Sequence, residues 1–189
     1  MKFKSMALLM LTMAMPAMAD QVNVSTQGMS LVLDVENGQP AKYLYFGSRL
    51  DERDKANLSV TANGRMDVYP AYGLNTPAES ALALRHADGN LSTALVATGY
   101  DSRQEANATV TVIHLKDAVY NLKVDLCYRA YKDVDLIEAW SEITNGEKGT
   151  VTLTTFASAM LPIRRGNVWM SHLSGSWASE ASVNNAPLA

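Results

Sequence analysis

The chain has 189 residues, 48% of them apolar and 19% charged, a balance typical of globular proteins and too apolar for a disordered one. Sixteen basic residues against 19 acidic ones give a formal charge of −3 with no basic block, which argues against a nucleic-acid partner. The length suits one domain, or two small ones, and excludes a catalytic (β/α)₈ barrel, which takes roughly 250 residues.

Residues 1–19 read as a secretory signal peptide. Lys2 and Lys4 form a positive start, and Met6–Met15 is a short apolar run that Pro16 breaks. Ala17-Met18-Ala19 then offers an A-x-A cleavage site between Ala19 and Asp20. The competing reading, a membrane anchor, needs about 20 apolar residues, and this run is shorter. The expected mature protein, 20–189, is therefore exported, periplasmic or extracellular, with no membrane span after cleavage. Its single cysteine, Cys127, cannot make an internal disulfide and reads as structural.

From there the dominant period is two, the period of strands. Val22 and Val24 followed by Met29–Val35 predict an opening hairpin. Glu36-Asn-Gly-Gln-Pro40 is a turn leading into a strand over Lys42–Phe46. Residues 51–67 read as a polar excursion containing the turn pair Asn63-Gly64. Ser80–Arg85 predicts a strand, Asp88-Gly-Asn90 a turn, and Ser92–Tyr100 that strand's partner. Ala108–Leu115 is β-branched. In Tyr120–Tyr128, the residues Tyr120, Leu122, Val124, Leu126 and Tyr128 alternate with Asn121, Lys123, Asp125 and Cys127. Strands over Asp135–Thr144 and Thr150–Phe156 follow, separated by Asn145–Gly149. Only Leu82–Ala87 and Ala157–Leu161 offer a helical alternative, and the tail from Ser182 shows no periodicity. The pattern implies an all-β, large antiparallel sandwich.

Motifs for chemistry are sparse. His86, His114 and His172 have no metal-ligand spacing, and no G-x-S-x-G elbow or Gly-rich phosphate loop occurs. A glycosidase needs two carboxylates at a fixed separation. Asp133 and Asp135, or Glu138 and Glu142, could share a sheet face, but nothing selects a pair among them. Trp169 to Trp177, with His172 between them, reads as a loop that could stack on a pyranose. The competing reading is that these tryptophans anchor a core or an interface. On that reading Trp177→Ala would disturb folding more than sugar binding.

Taken in order, several segments resemble the N-terminal domain of family 36 glycoside hydrolases, the bacterial α-galactosidases. They are Tyr43-Leu-Tyr-Phe-Gly47, Tyr69-Pro-Ala-Tyr-Gly73, Leu122–Tyr131 running on to Ser141-Glu-Ile-Thr-Asn145, and His172-Leu-Ser-Gly-Ser-Trp177 with Glu180. The resemblance implies a β-supersandwich, galactose-mutarotase-like, that packs against a C-terminal catalytic barrel. In the family that barrel supplies both carboxylates of a retaining mechanism, so no catalytic residue, metal site or cofactor is expected within this chain. It implies as partners the barrel, a galactoside or oligosaccharide substrate of the full enzyme, and a second subunit of a homo-oligomer. The candidate carbohydrate or interface contacts are Tyr72, Trp169, His172, Trp177 and Glu180. Many members carry Asp-Phe-Arg after the Tyr-Gly pair, whereas here Leu74-Asn-Thr follows Gly73. A freestanding carbohydrate-binding sandwich is the alternative function.

Overall fold

A computed structural model of the chain describes residues 20–58, 66–73, 79–161 and 168–188. The proposed signal peptide, the Asn63-Gly64 pair and most of the segment after Gly73 lie outside the described residues.

Among the described residues the chain forms eleven strands and one short helix. β1 (Asp20–Ser25) and β2 (Met29–Val35) are the expected hairpin, and the turn at Asn37-Gly38 leads into β3 (Lys42–Ser48). Gly38 takes a φ of 81°, a left-handed value that glycine reaches without Cβ strain. These strands make a three-stranded antiparallel sheet. The polar excursion contains α1 (Glu52–Ala56), which periodicity did not reveal because it is a single turn and a half. Asp51 caps it by accepting from the Asp54 amide at 2.8 Å.

β4 (Leu82–Arg85) departs from the expected pairing. Its partner is not the following strand but β9 (Thr152–Phe156), with Leu82 opposite Phe156. The following strand, β5 (Leu95–Gln104), pairs instead with β6 (Ala108–Asp117). β7 (Leu122–Tyr131) and β8 (Ile137–Asn145) complete a four-stranded antiparallel sheet in the order β5-β6-β7-β8. Asp133 and Asp135 fall in the β7–β8 loop rather than on a sheet face. Asp135 accepts there from Thr26 Oγ1 and the Gly28 amide, each at 2.7 Å, and ties that loop to the β1–β2 turn.

The two larger sheets enclose one core. Val22, Val24, Leu31 and Leu33 contribute from one sheet, and Ile113, Leu115, Leu122, Val124, Leu126 and Tyr128 from the other. Each fully buried aliphatic or aromatic side chain contributes about 1.5–3 kcal/mol relative to leaving it in water. Reciprocal amide bonds, Gly38 N to Ala97 O at 2.9 Å and Ala97 N to Gln39 O at 2.8 Å, join the β2–β3 turn to β5. The inward set expected in the Tyr120–Tyr128 segment is the buried set from Leu122 onward; Tyr120 precedes the strand and is half-buried. Cys127 occupies the outer face, opposite Trp140, yet only 4% of its surface is exposed.

The helical alternative over Ala157–Leu161 is not taken, since that segment is neither helix nor strand, and one further expectation is corrected. The tail is not aperiodic chain but β11 (Ser179–Leu188), paired antiparallel with β10 (Val168–Ser176) in a separate two-stranded ribbon. Its serines and asparagines give no hydrophobic alternation, because from Trp169 to Asn185 both strands are exposed to solvent.

Candidate functional site

Four of the five nominated contact residues fall on this ribbon. Trp169 and His172 lie on β10, Glu180 lies on β11, and Trp177 occupies the turn between them. The stretch is therefore a hairpin, not a loop. Its register separates two faces. Trp169, Ser171 and Leu173 share one face with Pro187, Asn185 and Val183, while Met170, His172 and Ser174 share the other with Ala186, Asn184 and Ser182. One face thus carries an apolar stripe and the other a mostly polar one. A bulge between Ser174 and Ser176, and a left-handed Ala178 with φ 63°, shape the tip.

The tryptophans are not core anchors within this chain. Trp177 is 95% exposed and Trp169 64%, and Leu173 and Val183 are exposed beside them. Tyr72 lies elsewhere, 51% exposed in the segment that runs alongside β4. Its amide donates to Leu82 O at 2.8 Å, and its carbonyl accepts from the Thr93 amide at 2.9 Å. Among the described residues no hydrogen bond or ring contact joins Tyr72 to the ribbon. Gly73, beside it, has φ 101° and approaches Ser92 so closely that a Cβ would sit 2.6 Å from the Ser92 Cα.

Ordered polar chemistry gathers in three further places. The first is a buried node at the end of the sandwich. His86 Nδ1 lies 2.7 Å from Glu147 Oε1, and Glu147 Oε2 accepts from the Ala87 amide at 3.1 Å. His86 Nε2 faces Ser92 O and Thr93 Oγ1, each at 3.1 Å. The imidazole stacks on Tyr120 with ring centroids 3.6 Å apart. The second place is on the outer face of the four-stranded sheet, where His114 stands between Asp125 at 2.7 Å and Asp101 at 3.0 Å. These two bonds, the one to Asp125 being the stronger cause, raise the imidazole pKa above its ordinary 6.5.

The third place is centred four residues further along β7 on the same face. Arg129 donates to Glu138 at 2.8 Å and lies 5.2 Å over the Trp140 ring. Glu138 and Glu142 do share that face, as their spacing suggested, but each has a local partner, since Trp140 Nε1 donates to Glu142 at 2.9 Å. Cys127 lies beneath them, and burial pushes its thiol up to about 11. Among the described residues no group of three or more His, Cys, Asp or Glu is placed to hold a metal ion, and no helix is long and apolar enough to cross a membrane.

Residues 39–189 match the glycosyl hydrolase family 36 N-terminal domain. The chain belongs to this family. Its sequence is 31% identical over 77 residues to a probable alpha-galactosidase C of Aspergillus terreus. That alignment covers 41% of this chain and 10% of the relative. The fold superposes on the alpha-galactosidase of Lactobacillus brevis with a TM-score of 0.76 at 20% identity, and on the family 36 alpha-galactosidase AgaA of Geobacillus stearothermophilus with 0.77 at 19%. Each superposition covers 90% of this chain and 28% of the neighbour. The family 36 domain thus spans about a quarter of the solved enzymes it resembles.

The family's sequence marks are distributed over this domain. Tyr43–Gly47 lies on β3, and Tyr69–Gly73 is the segment bridging to β4. Leu122–Tyr131 and Ser141–Asn145 lie on the neighbouring strands β7 and β8, and His172–Trp177 forms the outgoing arm and tip of the ribbon. Tyr69 is buried and donates from its hydroxyl to Ala157 O at 2.7 Å, so it anchors the irregular segment after β9 to the core. Two marks are therefore framework, one is a bridge, and the last is an exposed surface.

Proposed function

We propose that this chain is the non-catalytic N-terminal module of a secreted enzyme acting on terminal α-galactosides, packing against the catalytic barrel and supporting oligomer and substrate-site formation. The observation that carries this reading is the ribbon. An isolated two-stranded hairpin is only marginally stable in water. Yet the family's last sequence mark builds one here, with Trp169, Leu173, Val183 and Trp177 all exposed. An apolar stripe of that kind is suited to being covered by another surface. The family match and the similarity to alpha-galactosidase structures support the rest of such an enzyme as that covering surface. Under this reading the module brings no acid, base or nucleophile. The charged groups His114, Asp125, Arg129 and Glu138 on its sheet face are engaged in ion pairs.

Export is part of the proposal. The A-x-A stretch Ala17-Met18-Ala19 supports a mature N-terminus at Asp20. Expression with Lys2 and Lys4 in place, followed by mass measurement of the product, should give a chain beginning at Asp20.

Two measurements test the main reading. Sequencing the coding frame past codon 189 should reveal a barrel-length continuation with alternating strands and helices; an immediate stop codon would overturn the proposal. The 189-residue chain alone should not hydrolyse an aryl α-galactoside. Turnover abolished by replacing one carboxylate of this chain would place catalysis here instead.

A further inference from the structure

Three loops meet at the end of the sandwich that holds His86. They are the β4–β5 loop with Asp88, the β6–β7 loop with Val119 to Asn121, and the β8–β9 loop with Glu147 and Lys148. Between them lies a solvent-open hollow of about 520 Å³, within the range of small-ligand sites. Tyr120 lines it. One face of its ring is covered by His86, and its hydroxyl is fixed, donating to Asp88 Oδ2 at 2.9 Å and accepting from Asn90 Nδ2 at 2.8 Å.

The rim keeps bonding capacity in reserve. Among the described residues Lys148 makes no hydrogen bond or ion pair, so its ammonium is available. Asn121 spends its N–H on Gly146 O at 2.8 Å, which leaves Oδ1 as an acceptor. Val119, 80% exposed, adds an apolar wall. Asp88 and Glu147 beside a single ammonium disfavour an anionic ligand, and the polar rim disfavours a purely apolar one. A neutral polyol with one apolar face fits all of these constraints.

We propose that this hollow binds a pyranose sugar. The C–H face of the ring lies on the Tyr120 face turned away from His86. Lys148 donates to one hydroxyl, and Asn121 Oδ1 and the Asp88 carboxylate accept from others. The site is largely built before the ligand arrives. The His86–Glu147 contact, the Tyr120 stack and the Asn121–Gly146 bond already hold the three loops together, so little ordering remains to oppose binding. The hollow is open, so the affinity is millimolar. The proposal rests on these loops alone and holds whatever the parent enzyme's substrate is.

The test is an NMR titration of the ¹⁵N-labelled 189-residue chain with methyl α-galactopyranoside and, separately, methyl α-glucopyranoside. Saturable shifts are expected in the amides of residues 86–90, 119–121 and 146–148, with at least one of the two sugars. Among the described residues the Lys148 side chain makes no hydrogen bond or ion pair, so K148A leaves the structure intact and weakens that binding about tenfold. Three results would each overturn the proposal: no saturable shift in these loops with either sugar, shifts confined to the β10–β11 ribbon, or K148A titrating like the parent chain.

Discussion

His114 on β6 and Asp125 on β7 face each other across the sheet, with imidazole Nδ1 2.7 Å from the carboxylate oxygen. Its Nε2 lies 3.0 Å from Asp101 on β5, so one ring ties three strands together. A neutral imidazole has a single N–H, and only the imidazolium donates to both carboxylates.

That geometry sets a pH dependence. The folded pKa of His114 is raised above 6.5, chiefly by the bond to Asp125. A raised pKa stabilises the fold fully below the unfolded value, and the contribution is lost as pH rises through the folded value. The gap in melting temperature between the parent chain and H114N should therefore be largest in mildly acidic buffer and shrink above pH 6.5. A gap that stays constant from about pH 5.5 to 8.5 would show that the ring acts only by packing.

The buried node makes a different demand. Glu147 serves both His86 Nδ1 and the Ala87 amide. Glu147→Ala would leave two donors without their acceptor, the buried His86 Nδ1 at about 1–3 kcal/mol and the exposed Ala87 amide, which water can satisfy at little cost. Glu147→Gln keeps an acceptor for one of them and should cost less. Urea unfolding of the two variants ought to rank them parent, Gln, Ala; equal midpoints would mean that water replaces the carboxylate without loss.

Exposure reverses the expectation for Trp177. At 95% exposed it touches little, so Trp177→Ala should change the stability of this chain by no more than about 0.5 kcal/mol. Leu122→Ala, in the core, should cost about 2–5 kcal/mol. The sequence pattern alone favoured the opposite outcome for the tryptophan, because it cannot distinguish a core anchor from a residue awaiting a partner. Trp169→Asp together with Leu173→Asp should abolish concentration-dependent self-association in sedimentation if the apolar stripe is what drives it.

Gly73 is a backbone requirement within a family mark. Its φ of 101° is strained for any residue with a Cβ, and that Cβ would collide with the Ser92 backbone. Gly73→Ala should lower the melting temperature, with a cost of about 1–3 kcal/mol. It should also disturb the Thr93 amide bond to Tyr72, visible as faster hydrogen exchange at Thr93.

Strand periodicity was legible wherever one face is buried. Leu122, Val124, Leu126 and Tyr128 alternate with polar residues because the core and the solvent alternate too. The same logic hid the ribbon. With both of its faces in solvent, β11 carries Ser, Asn and Ala with no hydrophobic rhythm to read. α1 escaped because five helical residues are too few to display a period of 3.6. The family's sequence marks reached the right domain, but they nominated the exposed ribbon and Tyr72. The His86 and His114 nodes carry no spacing signal at all.

Sequence by itself determined the fold class, the family and most strand positions, because alternation and turn chemistry are local properties of the chain. Tertiary structure decided who pairs with whom. β4 passes over its neighbour β5 and takes β9, with Ala83 opposite Thr155. His86 finds Glu147 across 61 residues of chain. Such choices depend on which backbone edge and which desolvated carboxylate arrive at the same point in space, and that is a property of the closed sandwich rather than of any segment within it.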